Sequence, residues 1–135
     1  MAQRPKESRT FFLILVGLLA WLVPGAGHYV IREKRRAMII FVSIVLTFCI
    51  GLYIGSVGVI DRVGAKPWYL AQIMNSPMVA ALGRLTENGA YPVYGRPNEI
   101  GQIYTSIAGL LNLLCIVNAV YLAHIGQAAT ARGKK

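Results

Sequence analysis

The chain has 135 residues, of which 56% are hydrophobic and only 14% are charged. Soluble domains contain roughly 25% charged residues, so this composition argues against a soluble domain and for a lipid environment. Lys and Arg outnumber Asp and Glu by 14 to 5, which gives a net charge of +9. Most of the basic residues lie in short patches beside hydrophobic stretches. That distribution predicts contact with anionic membrane lipids and no nucleic-acid partner.

The first hydrophobic stretch, residues 11–31, follows a basic N-terminus at 1–10. Pro24 lacks a backbone donor and Gly25 is a poor helix former, so a helix should end at Pro24-Gly25. Residues 11–23 are fewer than the roughly 20 that a helix needs to cross a bilayer. We therefore expect a short N-terminal membrane helix that either spans tightly or forms a re-entrant half-helix.

Residues 37–60 and 100–125 are two longer uncharged runs, each sufficient to cross a hydrocarbon core of about 30 Å. Small residues recur in both at intervals of four, which places them on one side of each helix. Small faces let membrane helices approach closely, so we predict that the two spans pair antiparallel. The predicted packing residues are Ser43, Thr47, Gly51 and Gly55 in the first span and Gly101, Thr105, Gly109 and Asn112 in the second.

Residues 61–99 form a more polar region between the two spans. Pro67 suits the start of a helix and Pro77 restarts it, so we predict a broken helix lying in the extracytoplasmic interface. An additional crossing is rejected because Gln72, Asn75 and Ser76 would lie at its centre.

A basic loop at 32–36 and a basic tail at 126–135 should both lie on the cytoplasmic side. The residues expected to set this topology through lipid headgroups are Arg32, Lys34, Arg35, Arg36, Arg132, Lys134 and Lys135. Residues 1–135 are thus predicted to form one all-α integral membrane domain, with two long transmembrane helices, a short N-terminal membrane helix and a broken interfacial helix.

Two segments show a family resemblance. The hairpin of the two-transmembrane-helix domain family has a short Gly, His and Tyr signature, which resembles Pro24-Gly25-Ala26-Gly27-His28-Tyr29 with Arg32 and Arg35-Arg36 after it. Residues 99–114 are similar to the last helix of small bacterial, notably planctomycete-type, membrane proteins of unknown function. The resemblance implies a bacterial inner-membrane protein with a cytoplasmic hairpin loop, a first segment that crosses fully with the N-terminus outside, and a structural turn role for Pro24, Gly25, Gly27, His28 and Tyr29. The basic residues of the N-terminus depart from that topology.

Few residues suggest chemistry. His28 and His124 should lie near the same cytoplasmic face, where two histidines can ligate haem. The sequence shows no nucleophile and base pair, paired carboxylates or zinc-type spacing, so we expect neither an enzyme nor a metal site. The first expectation is a non-catalytic accessory or scaffold subunit that packs against a larger membrane complex or against itself. The alternatives are a haem- or quinone-binding electron-transfer subunit using the two histidines, and an oligomeric transporter of small solutes or lipids.

Overall fold

The structure, a computed structural model, describes residues 6–62, 64, 66–86 and 95–132. These residues form α-helices and one 3-10 turn, and they contain no β-strand, so the predicted all-α class is confirmed. The predicted topology residues Lys134 and Lys135 lie outside the described part. The elements are α1 (Lys6–Leu22), α2 (Ala26–Val30), α3 (Lys34–Gly55), the 3-10 turn (Val57–Val59), α4 (Lys66–Ile73), α5 (Pro77–Thr86) and α6 (Arg96–Arg132).

Among the described residues, two helices are long enough and apolar enough to cross a membrane, α3 over Lys34–Gly55 and α6 over Arg96–Gly126. Only 17% of the most apolar window of α3 and 33% of that of α6 is buried within the chain. Large side chains such as Tyr53 and Leu114 lie on the outer surface. A core helix of a soluble domain buries most of its apolar side chains, so this surface suits lipid or another chain better than water.

The two long helices begin and end at other residues than the spans 37–60 and 100–125 that the charge pattern predicts. α3 begins inside the predicted basic loop, because Lys and Arg are good helix formers whether or not the surroundings are apolar. It ends at Gly55, since Ser56 has a φ of 61°, and Ile60 then turns back into the core with no exposed surface. α6 continues to Arg132 and so includes most of the predicted tail.

The helices α3 and α6 approach each other through glycine. A Cβ on Gly51 would lie 2.7 Å from Cγ2 of Thr105 and 3.0 Å from the carbonyl oxygen of Gly101. One turn later, a Cβ on Gly55 would lie 2.9 Å from the carbonyl oxygen of Pro97. Going from Gly51 to Gly55 along α3, the contacted residues on α6 go from 101 and 105 down to 97, so the two helices are antiparallel. Only a residue without a side chain permits this separation at Gly51.

The other predicted packing residues lie elsewhere. Ser43 is exposed, and the Thr47 hydroxyl donates to the Ser43 carbonyl oxygen within α3, 2.8 Å away. Gly109 faces α4 instead of α3, since a Cβ there would overlap the carbonyl oxygen of Ala71. The predicted stripe on α6 is divided because α4 occupies its second half, which also turns Asn112 away from α3.

The first hydrophobic stretch forms a helical hairpin of α1 and α2, which we call the first hairpin. The chain reverses at Gly25, whose φ is 83° and where a Cβ would lie 2.5 Å from the carbonyl oxygen of Ala37. Glycine is the residue that adopts this left-handed conformation without strain. The short α2 packs closely between α1 and α6. A Cβ on Gly27 would lie 2.8 Å from Cβ of Ala20 and 3.0 Å from Cβ of Ala119.

The helices α4 and α5 form the second hairpin, with the break before Pro77. Tyr69 and Val79 from its two arms pack with Ile60, and all three side chains are buried. The second hairpin therefore has a small apolar core of its own, completed by the segment that follows α3.

Candidate functional site

The first hairpin covers one half of α6. Leu13 of α1 lines a groove together with His124 of α6, and farther along α1 the carbonyl oxygen of Ala20 accepts a hydrogen bond from Nδ2 of Asn112, at 3.4 Å. These pairs show that α1 runs antiparallel to α6. Its C-terminal end therefore lies at Asn112, in the middle of the apolar segment Arg96–Gly126.

The second hairpin covers the other half of α6. The Ser106 hydroxyl donates to the carbonyl oxygen of Trp68 near the start of α4, at 3.3 Å. Beyond the end of α4, the carbonyl oxygen of Met74 accepts a hydrogen bond from Nδ2 of Asn112, at 2.9 Å. This helix thus runs parallel to α6, and it too ends at Asn112. The two hairpins approach the same residue from opposite ends of α6.

The hairpin tips are joined by two side-chain hydrogen bonds. Nε1 of Trp21 donates to the carbonyl oxygen of Ile73, at 3.0 Å, and the Ser76 hydroxyl donates to the carbonyl oxygen of Leu22, at 3.1 Å. Leu22 and Ile73 are the last residues of α1 and α4, and the last carbonyls of a helix have no partner within it. Each hairpin therefore caps the helix end of the other. We call these four residues and Asn112 the junction.

Asn112 completes the junction from the side of the long helix. Its side chain has no exposed surface, and the two hydrogens of its Nδ2 are within hydrogen-bonding reach of three backbone carbonyls, those of Ala20, Met74 and Asn75. One carboxamide thus serves the ends of both hairpins. In an apolar environment such carbonyls must find donors within the protein, so this residue holds an otherwise unfavourable break in place.

A buried polar layer continues along the seam between α4 and α6. Nε2 of Gln72 donates to the Thr105 hydroxyl, at 2.8 Å, and to the carbonyl oxygen of Val59, at 3.3 Å. Gln72 and Thr105 have no exposed surface. The side-chain oxygens of Gln72, Asn75 and Asn112 are buried and accept no hydrogen bond. A buried acceptor that is left unpaired costs about 1–3 kcal/mol, so these oxygens favour a donor or a cation beside them.

The structure does not bring the two histidines together. His28 is buried, with Nε2 3.1 Å from Oδ1 of Asn118, whereas His124 is exposed in the groove beside Leu13. A separation of six residues turns a helix by about 240°, so Asn118 and His124 point in different directions. No group of three or more His, Cys, Asp or Glu side chains that could hold a metal ion occurs among the described residues.

The predicted basic loop lies at the end of α3 that faces the first hairpin. Glu33 and Arg36 form an exposed ion pair at 3.2 Å, and Nζ of Lys34 lies 5.7 Å from the centre of the exposed Tyr29 ring. Exposed contacts of this kind contribute little to stability. The four cationic side chains of the basic loop remain accessible to lipid headgroups: Arg32, Lys34, Arg35 and Arg36.

Comparison with known proteins identifies the family. The profile of DUF6677, a family of unknown function, matches residues 15–134. The chain belongs to this family. The match begins within α1 and includes the rest of the first hairpin, the second hairpin and the junction, so the junction lies within the DUF6677 region. No curated protein and no solved structure matches the chain. The hairpin signature of the two-transmembrane-helix domain family and a planctomycete source stay predictions.

Sequence reasoning missed the caps of the junction. Trp21 was part of an apolar run, and nothing in the sequence indicates that its indole nitrogen faces Ile73. The polar residues Gln72, Asn75 and Ser76 did give a signal, because they interrupt an uncharged segment. In the sequence they argue against an additional crossing, whereas in the structure they lie at and near the tip of the second hairpin.

Proposed function

We propose that this DUF6677 protein is an integral membrane protein in which α3 and α6 cross the bilayer and both hairpins enter it halfway, from opposite sides. The helices α4 and α5 have 8 and 10 residues, which span about 12–15 Å. That is half of a hydrocarbon core of about 30 Å. The hairpins meet at the middle of the apolar segment of α6, which supports this depth.

The charges support one orientation. The start of α1, the basic loop and the end of α6 lie at the same end of the molecule, because α1 and α3 both run antiparallel to α6. The opposite end has acidic as well as basic side chains, among them Asp61, Arg62 and Glu99. By the positive-inside rule the first end is cytoplasmic. The N-terminus then lies inside, in contrast to the topology that the resemblance implies.

Within this frame, the role that we propose is that of a non-catalytic accessory or scaffold subunit. The observation behind it is the position of Asn118, whose side chain is exposed among Leu114, Val117 and Tyr121 on the outer face of α6. Oδ1 of Asn118 faces His28, but no described residue accepts a hydrogen bond from its Nδ2. A carboxamide on a lipid-facing surface is unfavourable, and such groups normally contact another protein helix.

The test is extraction of the tagged protein from its own membrane in mild detergent, followed by native mass spectrometry. We expect a discrete assembly heavier than one 14.7 kDa chain. Asn118→Leu should release the partner, whereas Leu113→Ala, an exposed position about 140° away around α6, should retain it. A monomer in detergent and in nanodiscs would contradict the proposal. An assembly of identical chains would identify the partner as a second copy.

A second candidate is transport of a small solute by an oligomer, and the order of the helices favours it. A helix that ends at the junction, a break beside a proline, a short helix and a long helix occur twice, as α1 to α3 and as α4 to α6, although α1 has 17 residues and α4 has 8. In each set the first helix runs parallel to the long one, and the long helices are antiparallel, so the second set repeats the helix order of the first in the inverted direction. Inverted repeats with broken helices are typical of transporters that bind substrate near the membrane centre.

Reconstitution into liposomes tests this candidate. Uptake of rubidium-86 and of small neutral solutes above that of protein-free liposomes is the expected result. Loss of uptake in Gln72→Leu, with the same reconstituted amount of protein, would locate the pathway at the buried polar layer. Permeability equal to that of empty liposomes would remove the transport role and leave the packing role unaffected.

A further inference from the structure

A groove runs along the outer surface of the protein where α1 meets the second half of α6. It has a volume of about 420 Å³ and is open to the surroundings. Its lining comes from the two helices: Leu13 of α1, and Ile116, Val117, Val120, Tyr121 and His124 of α6. Among these residues only Tyr121 and His124 have polar side-chain atoms. The groove therefore suits an elongated apolar group that has a polar end.

The groove has a definite direction in the membrane. Residues 116–124 rise about 12 Å along α6, which is most of the roughly 15 Å of one hydrocarbon leaflet. Ile116 follows Asn112, in the middle of the apolar segment, by about one turn, and His124 lies near the end of that segment. In the orientation proposed above, this end is cytoplasmic. The groove therefore begins among acyl chains and ends near the headgroups of the cytoplasmic leaflet.

A positive charge lies beside the headgroup end of the groove. Arg9 precedes Leu13 by four residues, so both lie on the same side of α1, and Arg9 is one turn closer to the cytoplasm. Its side chain is partly exposed and, like that of His124, has no hydrogen-bonding or ionic partner among the described residues. A guanidinium forms paired hydrogen bonds with phosphate, and an imidazole can donate a further one. The polar end of the groove is thus complementary to a phosphate group.

The groove differs from the partner surface at Asn118. His124 follows Asn118 by six residues, which places it about 120° away around α6, on the side next to α1. Asn118 lies on the side next to α2, where it faces His28. The two surfaces meet at Val117 and Tyr121, so a helix packed at Asn118 leaves the side of the groove next to α1 open.

From these observations we propose that the groove binds one anionic phospholipid of the cytoplasmic leaflet, with an acyl chain between Leu13 and α6 and the phosphate at Arg9 and His124. Basic sites between membrane helices on the cytoplasmic side are typical positions for anionic headgroups. The basic loop attracts anionic lipid by charge alone, whereas this site also has an apolar groove of matching length. The proposal rests on the membrane orientation proposed above and is independent of the accessory role.

The experiment titrates the full-length protein, delipidated in mild detergent, with dioleoyl phosphatidylglycerol or with the zwitterionic dioleoyl phosphatidylcholine. Native mass spectrometry counts the lipids retained per chain, in monomers and assemblies alike, so failure of the accessory role leaves the result intact. We expect one phosphatidylglycerol per chain, with half-saturation about fivefold lower than for phosphatidylcholine. Equal retention of the two lipids would overturn the proposal. A protein that stays soluble without detergent would instead contradict its insertion into the membrane.

Two pairs of variants locate the bound lipid. Arg9→Gln should raise half-saturation for phosphatidylglycerol about fivefold, whereas Arg35→Gln, an equal change of charge in the basic loop, should have little effect. Leu13→Trp fills the groove and should weaken retention of both lipids, whereas Leu18→Trp, an exposed position about 140° away around α1, should not. All four positions are exposed or partly exposed, so the fold should be retained. Equal effects of Arg9→Gln and Arg35→Gln would show that net charge alone holds the lipid, and would contradict the assignment.

Discussion

At the scale of single residues, Asn112 connects more of the chain than any side chain near it. It lies on α6 and donates to carbonyls of α1 and of the second hairpin, in a position with no exposed surface. Interhelical hydrogen bonds in membrane proteins contribute modestly when taken one by one. Asn112 contributes more than a single bond because it satisfies several backbone carbonyls at the ends of α1 and α4 at once.

Replacing Asn112 by Leu should therefore destabilise the protein by about 1–3 kcal/mol, since up to three buried carbonyls lose their donor. The measurement is the free energy of unfolding in mixed detergent micelles. Leu113→Ala is the control, because Leu113 is exposed on the same helix and its side chain has no hydrogen bond to lose. Equal stability of Asn112→Leu and the native protein would mean that the carbonyls find donors elsewhere.

Gly25 offers a second test at this scale. Both Gly25 and Gly95 have positive φ values, 83° and 79°, but only Gly25 is surrounded by other backbone atoms. Gly95→Ala should cost about 1 kcal/mol from conformational strain alone, and Gly25→Ala about 2–3 kcal/mol because its Cβ also meets Ala37. Thermal unfolding of the two variants measures the difference. Similar costs would show that the turn relaxes away from α3.

At the scale of the elements, two glycines on different faces hold different helices. Gly51→Leu should separate α3 from α6, and Gly109→Leu should displace α4, each at a cost of about 2–3 kcal/mol through overpacking. Hydrogen exchange distinguishes them: amides of α3 should exchange faster in the first variant and those of α4 in the second. Gly126→Leu is the control, as a Cβ there meets nothing within 4 Å. Exchange that rises equally in both helices would contradict this division.

The sequence allowed the helical class and the two long apolar helices to be predicted, because uncharged runs between charges are a strong signal. It also placed the breaks at Pro24 and Pro77, since proline and glycine interrupt helices by local chemistry. The helix partners were harder. A small residue such as Gly109 permits close approach by any neighbour, and a four-residue stripe cannot distinguish α3 from α4. The caps by Trp21 and Ser76 join residues more than fifty positions apart, and no local pattern encodes them.

At the scale of the whole molecule, the two hairpins predict a definite topology. In a background with Cys49→Ala and Cys115→Ala, single cysteines at Ser8 and Glu33 should react with an impermeant maleimide from the cytoplasmic side, and one at Lys66 from the opposite side. Right-side-out and inverted vesicles provide the two exposures. Labelling of position 8 from the outer side would show that α1 crosses the whole bilayer and that the first hairpin is not re-entrant.

The hydrogen bond from Asn112 to Ala20 joins residues 92 positions apart, and this separation determines when the fold can be completed. Chains are synthesised and inserted from the N-terminus, so the first hairpin reaches the membrane long before the carboxamide that caps it has been made. Its broken carbonyls must be satisfied meanwhile by water, lipid headgroups or the insertion machinery. A nascent chain interrupted before α6 cannot close the junction. The junction is therefore completed only once α6 has been inserted, and chains released before α6 should be selectively degraded.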